Sequence, residues 1–368
     1  MHVIRTSELT CCVAFKAIAS RGLELPVLLR CSLAQRDRYV KNILQPLPGR
    51  RNNATHRDCD RGMRSVIDNI WPNQRAPAGP RSGCYVGHRN TAAGLGASGP
   101  SIAIVVDNKA YLFDAGTGVV RRAAAARQQK GITGLEPRTL RVAFLTHLHS
   151  DHTLGLPDLI LTPWTMGRAE PLALWGPKGT RAVIDHILAA YQEDISIRTT
   201  SLEGSNATGY KVNVHEIEPG DVYKDANVTV KPFLVKHGDW KQALGYRIEA
   251  PGRVIVYSGD TSPAESIVEN CRGCDYLISE SYTLASFNLI SPHWQAHRRA
   301  YHTSTRELAN IASRAKPRLL ILTHRANPGC DQSHAAGCLE AGSEEQMMKE
   351  MKRYYSGNVV AAHDLDMY

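Results

Sequence analysis

No stretch of this chain approaches the roughly 20 consecutive apolar residues that a membrane-spanning helix needs. No convincing secretory signal is read in its first residues either, so no membrane partner is expected. The nine cysteines form no framework. Cys271-Arg272-Gly273-Cys274 has the spacing of a zinc knuckle, yet no second pair completes the four ligands of a structural site, which leaves a reduced turn or a local disulfide. Cys330 and Cys338 flank a Gly/Ala-rich loop and would cross-link in an oxidising compartment; without a signal peptide, reduced thiols are the default. No cysteine shares a motif with a histidine, which argues against a nucleophilic-cysteine enzyme. There is also no internal repeat.

A charge excess is missing from most of the chain as well. The formal net charge is +9, but residues 1–82 carry 14 Lys+Arg against 6 Asp+Glu, and the remaining 286 residues carry 30 against 29. The large C-terminal part is close to neutral, and its charge does not by itself predict a polyanion-binding surface. The basic segment could bind RNA, although basic tails are more often simply solvated.

What the chain does have is concentrated in Thr146–Leu156, THLHSDHTLGL, which follows the apolar run Val142–Leu145. Three imidazoles and a carboxylate within six residues serve no purpose in a core. They are ligand types that zinc and similar borderline cations prefer. In an extended loop His147 and His149 project to one side and can share an ion. Asp151 and His152 precede a helix expected over Thr153–Leu161 and point elsewhere, so a second ion can sit beside the first. A solvated polar loop is the plain alternative.

This motif resembles that of the metallo-β-lactamase-fold hydrolases, and within them the ribonuclease Z branch. The resemblance implies a third histidine after a strand, an aspartate in a GDT-like turn and a last histidine after an apolar strand. His237 follows Val228–Val235 and precedes Gly245-Tyr246-Arg247-Ile248; Asp260 lies in Ser258-Gly259-Asp260-Thr261; His324 ends Leu319–Thr323. Taken alone, His237 or His324 would read as an ordinary loop histidine; their order beside a complete HxHxDH makes them ligand candidates. Phe113-Asp114-Ala115-Gly116 resembles the family's early aspartate turn, implying that Asp114 buttresses the metal loop. Leu174–Gly179 resembles a structural strand end. The likeness runs from about Gly83 to the C-terminus.

By resemblance, His147, His149 and His237 hold one Zn2+ and Asp151, His152 and His324 a second, with Asp260 bridging and Mn2+ or Fe2+ as alternative metals. Such a pair activates water and clamps the attacked ester. Asp151, Glu280 and His302 are the catalytic candidates. Glu280, in Ser279-Glu280-Ser281, would orient His302, in Tyr301-His302-Thr303-Ser304, to protonate the leaving oxygen. A helix-capping glutamate and a surface histidine are the alternatives.

The implied fold is α/β (α+β), a four-layer αββα sandwich over residues 83–368, preceded by an irregular basic extension and Pro/Gly-rich linker over 1–82. Strands are expected at Ile102–Val106, Ala110–Phe113, Val142–Leu145, Leu172–Trp175 and Val228–Val235. Helices are expected at Gly118–Gln129, Thr180–Tyr191, Ser304–Arg314 and Ser343–Tyr355. The family's glycine-rich first turn is replaced here by Val86–Thr91. Asn288–His302 reads as a substrate-facing loop. Trp164 reads as packing, Trp240 as lining the pocket mouth, and Trp294 and Tyr282 as either.

The expected function is dinuclear, zinc-dependent hydrolysis of phosphodiesters, with RNA and tRNA 3′ processing as the expected substrate and reaction. One departure matters. Family members that process tRNA carry a long arm between the third histidine and the GDT aspartate, whereas here only a hairpin fits: Ala243–Glu249, Pro251-Gly252, Arg253–Tyr257. A same-fold hydrolase of small esters, lactones, sulfate esters or β-lactams is therefore the alternative, and a non-catalytic scaffold a third. The resemblance also brings homodimer formation. A cytoplasmic location is the default, with an organellar transit segment left open.

Overall fold

A computed structural model describes residues 83–87, 98–324 and 336–368. The first sheet runs in the order β14 (Asp366–Met367), β1 (Gly83–Gly87), β2 (Ser101–Val106), β3 (Lys109–Phe113), β4 (Val142–Phe144), β5 (Leu172–Gly176), β6 (Val212–Glu216). The second runs β13 (Val359–Ala361), β12 (Leu319–Thr323), β11 (Tyr276–Glu280), β10 (Arg253–Tyr257), β9 (Ala243–Ala250), β8 (Thr229–Val235), β7 (Tyr223–Lys224). Strand alternation explains how the layers form, because side chains two residues apart share a face. In β2, Ile102, Ile104 and Val106 enter the core between the sheets, where Phe113, Phe144, Tyr246, Ile255 and Ile278 also lie, while Ala103 and Val105 face the other way.

Those outward residues pack under helices α1 (Val119–Lys130) and α3 (Leu156–Thr165), with Val120, Ala123, Leu159 and Ile160 in the contact. The second sheet is covered likewise by α6 (Glu265–Cys271), α9 (Thr305–Ala315) and α11 (Glu344–Tyr354), through Ile267, Leu308, Ile311, Ala312, Met347 and Met351. The result is the expected αββα sandwich. Helix α9 starts where its sequence directs: the Ser304 side chain accepts from the Glu307 amide, and the Glu307 carboxylate accepts from the Ser304 amide.

Strand direction brings the motifs together. Strands β3, β4, β5 and β6 are parallel, as are β10, β11, β12 and β13. Strand β8, two antiparallel steps from β10, runs the same way as it. Chain leaving the C-terminal ends of β3, β4, β8, β10, β11 and β12 therefore converges on one edge of the sandwich, where a crevice accepts ligands.

Several local expectations are corrected. The helix expected at Thr153–Leu161 is two helices, α2 (Ser150–Thr153) and α3, so Asp151 and His152 lie inside the first. Gly155 separates them because its backbone lies against that of Gly116, where an added Cβ would sit 2.2 Å from the Gly116 oxygen. Asn288–His302 is mostly helical: Ser291 caps Pro292–Tyr301 (α8) with Pro292 in its first turn, and this local signal was masked by the polar and aromatic composition. Cys271 and Cys274 form the local disulfide, one of the two alternatives for that turn, and the default of reduced thiols fails at Cys338. Arg272 and Gly273 take left-handed backbone, φ 38° and 81°, and bring the two Cα atoms to 4.8 Å, within bridging range. Cys338 is also disulfide-bonded; Cys330 lies outside the described residues. So do Met1–Asn69, the Pro72–Pro80 linker and the turn at 88–91. Among the described residues no helix is long and apolar enough to cross a membrane.

Candidate metal centre

Residue by residue, the convergent edge is built from strand ends. Strand β4 delivers Thr146 and His147, and the turn into α2 carries His149, Asp151 and His152. Strand β8 ends two residues before His237, β10 three before Asp260, and β12 one before His324. Gly259 makes the approach of the Asp260 turn feasible: its φ is +59°, and an added Cβ would meet Thr146 Cβ at 2.9 Å.

Two groups of potential ligand atoms result, adjoining through His147, His152 and Asp260. In the first, His149 Nδ1 lies 2.9 Å from His147 Nε2 and 3.0 Å from His237 Nε2. In the second, His324 Nε2 is 3.3 Å from Asp151 Oδ2 and 3.0 Å from Asp260 Oδ2, and His152 Nε2 is 3.6 Å and 3.5 Å from the same two oxygens. All seven sequence-predicted ligand candidates are thus in one place.

The surrounding hydrogen bonds test whether a cation suits this arrangement. Asp114, fully buried at the end of β3, accepts from the Thr146 amide at 2.8 Å, the Thr146 hydroxyl, the Tyr257 hydroxyl at 2.9 Å and His152 Nδ1 at 2.9 Å. The carboxylate fixes the proton of His152 on Nδ1, leaving a lone pair on Nε2. Since the Thr146 hydroxyl donates to Asp114, it is free to accept from His147 Nδ1 at 2.9 Å, so His147 Nε2 also presents a lone pair. His237 Nδ1 faces the Tyr301 carbonyl at 2.7 Å, with the same consequence for its Nε2. His152 Nε2 and Asp260 Oδ1 are buried without a hydrogen-bond partner. Buried imidazole lone pairs and carboxylate oxygens turned toward each other are the donor set of a borderline divalent cation, and the site fits one.

Electrostatics divide the two groups. Burial holds His147 far below its ordinary pKa and lowers His237 to about 3, so both rings are neutral. At His152 and His324 burial also opposes charge, but Asp260, with Asp114 for His152 and Asp151 for His324, outweighs it, and the His324 pKa rises to about 10. Burial likewise works against charge on Asp260, yet His324 and His152 keep it ionised. In the second group Asp260 and its neighbouring carboxylates draw protons to His152 and His324, charge that a bound cation would displace from the ring nitrogens facing it.

Glu280 and His302 adjoin it. Glu280 Oε2 is 3.2 Å from His302 Nδ1, and Glu280 Oε1 accepts from the amides of Thr261 and Thr303 at 3.1 and 3.3 Å. His302 Nδ1 also lies 4.0 Å from Asp260 Oδ2. Burial raises the Glu280 pKa above the ordinary carboxylate value.

Sequence reasoning did not foresee three contacts, namely those of Thr146, Tyr257 and the Tyr301 carbonyl. Each is a common residue or a backbone group whose neighbour is distant in sequence, so no motif could signal it. Trp164 is buried, and its indole donates to the Asn206 carbonyl at 2.8 Å. Trp294 packs on Ile290 and Cys338, and Tyr282 is buried. Trp240 reaches the centre itself, donating from Nε1 to His149 Nε2 at 2.8 Å.

Residues 109–325 match the model of the beta-lactamase superfamily domain. Over 274 residues the chain is 31% identical to the ribonuclease Z of Mycobacterium bovis (strain BCG / Pasteur 1173P2), covering 73% of this chain and 90% of that protein. The ribonuclease Z of Mycobacterium marinum is 30% identical over 274 residues, covering 73% and 91%. Among solved structures, the metallo-beta-lactamase fold protein YhfI from Bacillus subtilis superposes with a TM-score of 0.56 at 17% identity, over 79% of this chain and 99% of that one. The short form of human tRNase Z gives 0.54 at 19% identity, over 78% and 98%. At such identities the structural likeness establishes the fold.

Proposed function

The chain belongs to the beta-lactamase superfamily and, within it, to the ribonuclease Z family of metal-dependent hydrolases, and on that premise we propose that it cleaves phosphodiester bonds in RNA at a dinuclear zinc site. The observation supporting this reading is that the donor groups His147–His149–His237 and Asp151–His152–His324 adjoin through a third, His147–His152–Asp260, with the Glu280–His302 pair beside Asp260. In the proposal His147, His149 and His237 hold one ion, Asp151, His152 and His324 the other, and Asp260 both; Mn2+ or Fe2+ would suit the same donors. Two cations bound there would supply Lewis acidity and an activated water.

The chain's own residues do the rest. Asp114 fixes the His152 tautomer and the Thr146 turn. Glu280, anchored by the Thr261 and Thr303 amides, holds His302 through Nδ1, which leaves Nε2 to deliver a proton to the departing oxygen. Precursor tRNA, trimmed at its 3′ end, is the substrate the family relationship favours, and a homodimer is the assembly it suggests.

One observation favours a second reading. Between His237 and Asp260 the chain forms only the turn at Trp240 and the β9–β10 hairpin, so no long arm projects there. With the near-neutral charge of residues 83–368, this suits a smaller ester or cyclic phosphodiester. A side-by-side assay of a 3′-extended precursor tRNA, bis(p-nitrophenyl) phosphate and a chromogenic β-lactam decides between them, with Asp151→Ala as control. Trimming of the tRNA that the control lacks supports the RNA reading. Turnover of the small substrates alone overturns it.

A further inference from the structure

His149 differs from the other histidines of its group in how its outer nitrogen is held. His147 and His237 each turn Nδ1 to an acceptor, Thr146 Oγ1 and the Tyr301 carbonyl, so each keeps a lone pair on the inward Nε2. His149 faces inward with Nδ1, and its outward Nε2 receives the Trp240 indole N–H at 2.8 Å. An indole nitrogen is a donor only. His149 Nε2 must therefore carry the lone pair, and in a neutral ring the proton then sits on Nδ1, the atom aimed at His147 and His237. Trp240 thus holds His149 in the tautomer that cannot ligate.

We infer that Trp240 is a positioning residue coupled to metal loading: its indole N–H leaves His149 when a cation takes Nδ1. The inference rests on the reading of His147, His149 and His237 as ligands. On loading, the Nδ1 proton passes to solvent and another is taken from solvent at Nε2, so the ring stays neutral and the proton count is unchanged. Nε2–H and the Trp240 N–H are then two donors face to face, and the contact cannot persist. The alternative is a ring stripped of both protons, an imidazolate, which is strongly disfavoured near neutral pH. Room for the indole exists, because Trp240 is only partly buried and borders a groove of about 760 Å³ that also touches Lys236, Lys241, Glu265 and Tyr301. The metal state of the first group therefore reshapes the wall of the groove beside it.

The test uses the full chain with 15N-labelled tryptophan, titrated with zinc alone after chelator treatment, while bound zinc is counted by dialysis and atomic emission. Trp240→Phe and Trp240→Tyr identify the Trp240 indole resonance. On filling of the first group that resonance is expected to move upfield as its hydrogen bond is lost, while the Trp164 resonance stays. Because the variants remove a contact that competes with the metal, both should bind zinc roughly fivefold more tightly at this group. A merely structural indole would make them bind more weakly. Zinc binding with an unmoved Trp240 resonance, or variants that bind equally or less tightly, would overturn the inference. If no zinc binds at all, the ligand reading itself fails, and the inference with it.

Discussion

Replacing Asp114 should weaken the metal centre without touching any proposed ligand. Its carboxylate takes hydrogen bonds from the Thr146 amide and hydroxyl, His152 Nδ1 and the Tyr257 hydroxyl, all buried. In Asp114→Ala the Thr146 amide and His152 Nδ1 lose their acceptor, at about 1–3 kcal/mol each, while the hydroxyls can re-aim. Alanine must also adopt the φ of +62° found there, at about 1–2 kcal/mol. The total loss of stability is about 3–8 kcal/mol. Asp114→Asn is the more informative change. Asparagine tolerates the left-handed backbone and can still accept from Thr146, but an amide NH2 turned to His152 meets a donor with a donor. His152 then moves its proton to Nε2, the proposed ligand atom. Zinc affinity at the Asp151–His152–His324 group should fall about 10- to 100-fold, with a smaller loss in Tm than for alanine. Chelator competition measures the affinity and calorimetry the stability. An Asp114→Asn protein that binds zinc within about twofold of the parent would refute the orienting role assigned to Asp114.

Other consequences follow from single contacts. His302→Ala should slow cleavage of diesters with poor alkoxide leaving groups by about 100-fold or more, yet barely slow a nitrophenyl diester, whose leaving group needs no proton; equal losses on both would remove the proton-donor role. Arg168 is buried and donates to the carbonyls of Leu140, Leu159, Ile160 and Gly209, the Leu159 carbonyl being one that Pro163 cannot serve within α3. Arg168→Met should cost about 3–5 kcal/mol in urea denaturation, since four buried carbonyls lose their donor, and a loss under about 1 kcal/mol would contradict that account. Asp225 joins the sheets by accepting from Lys109, Tyr111 and Tyr223. Burial pushes its pKa up, but the Lys109 and Tyr111 hydrogen bonds prevail and hold it well below the usual carboxylate range. Its stabilisation is therefore complete above the unfolded pKa of about 4 and is lost as pH falls toward the folded value. Asp225→Asn should be less stable than the parent at pH 7, with the gap closing below about pH 4, as thermal melts across pH would show.

Much of this was legible because the signals are local. Strand alternation at Ile102–Val106, the apolar spacing of α9 and the Ser304–Glu307 cap each concern residues within one turn or one strand, where backbone geometry alone sets what faces what. The clustering of ligand-type residues at Thr146–Leu156 was legible for the same reason: imidazoles and a carboxylate that crowded have no role in a core. The errors were also local. Composition marked Asn288–His302 as a loop although Ser291-Pro292 is a helix start, and the two-residue break at Leu154-Gly155 depends on a backbone contact with Gly116 that no nearby residue announces.

The sequence by itself determined the inventory of donors, their order along the chain and the alternation that sorts each strand into core and cover. Only the tertiary structure decided which nitrogen of His147, His149, His152 and His237 turns inward. That choice is made by Asp114, Thr146, the Tyr301 carbonyl and Trp240, three of which lie 38 to 91 residues away from the ring they hold. Periodicity and motif spacing report on neighbours along the chain. The tautomer of a buried ring is set by whichever donor or acceptor folding brings against its far side.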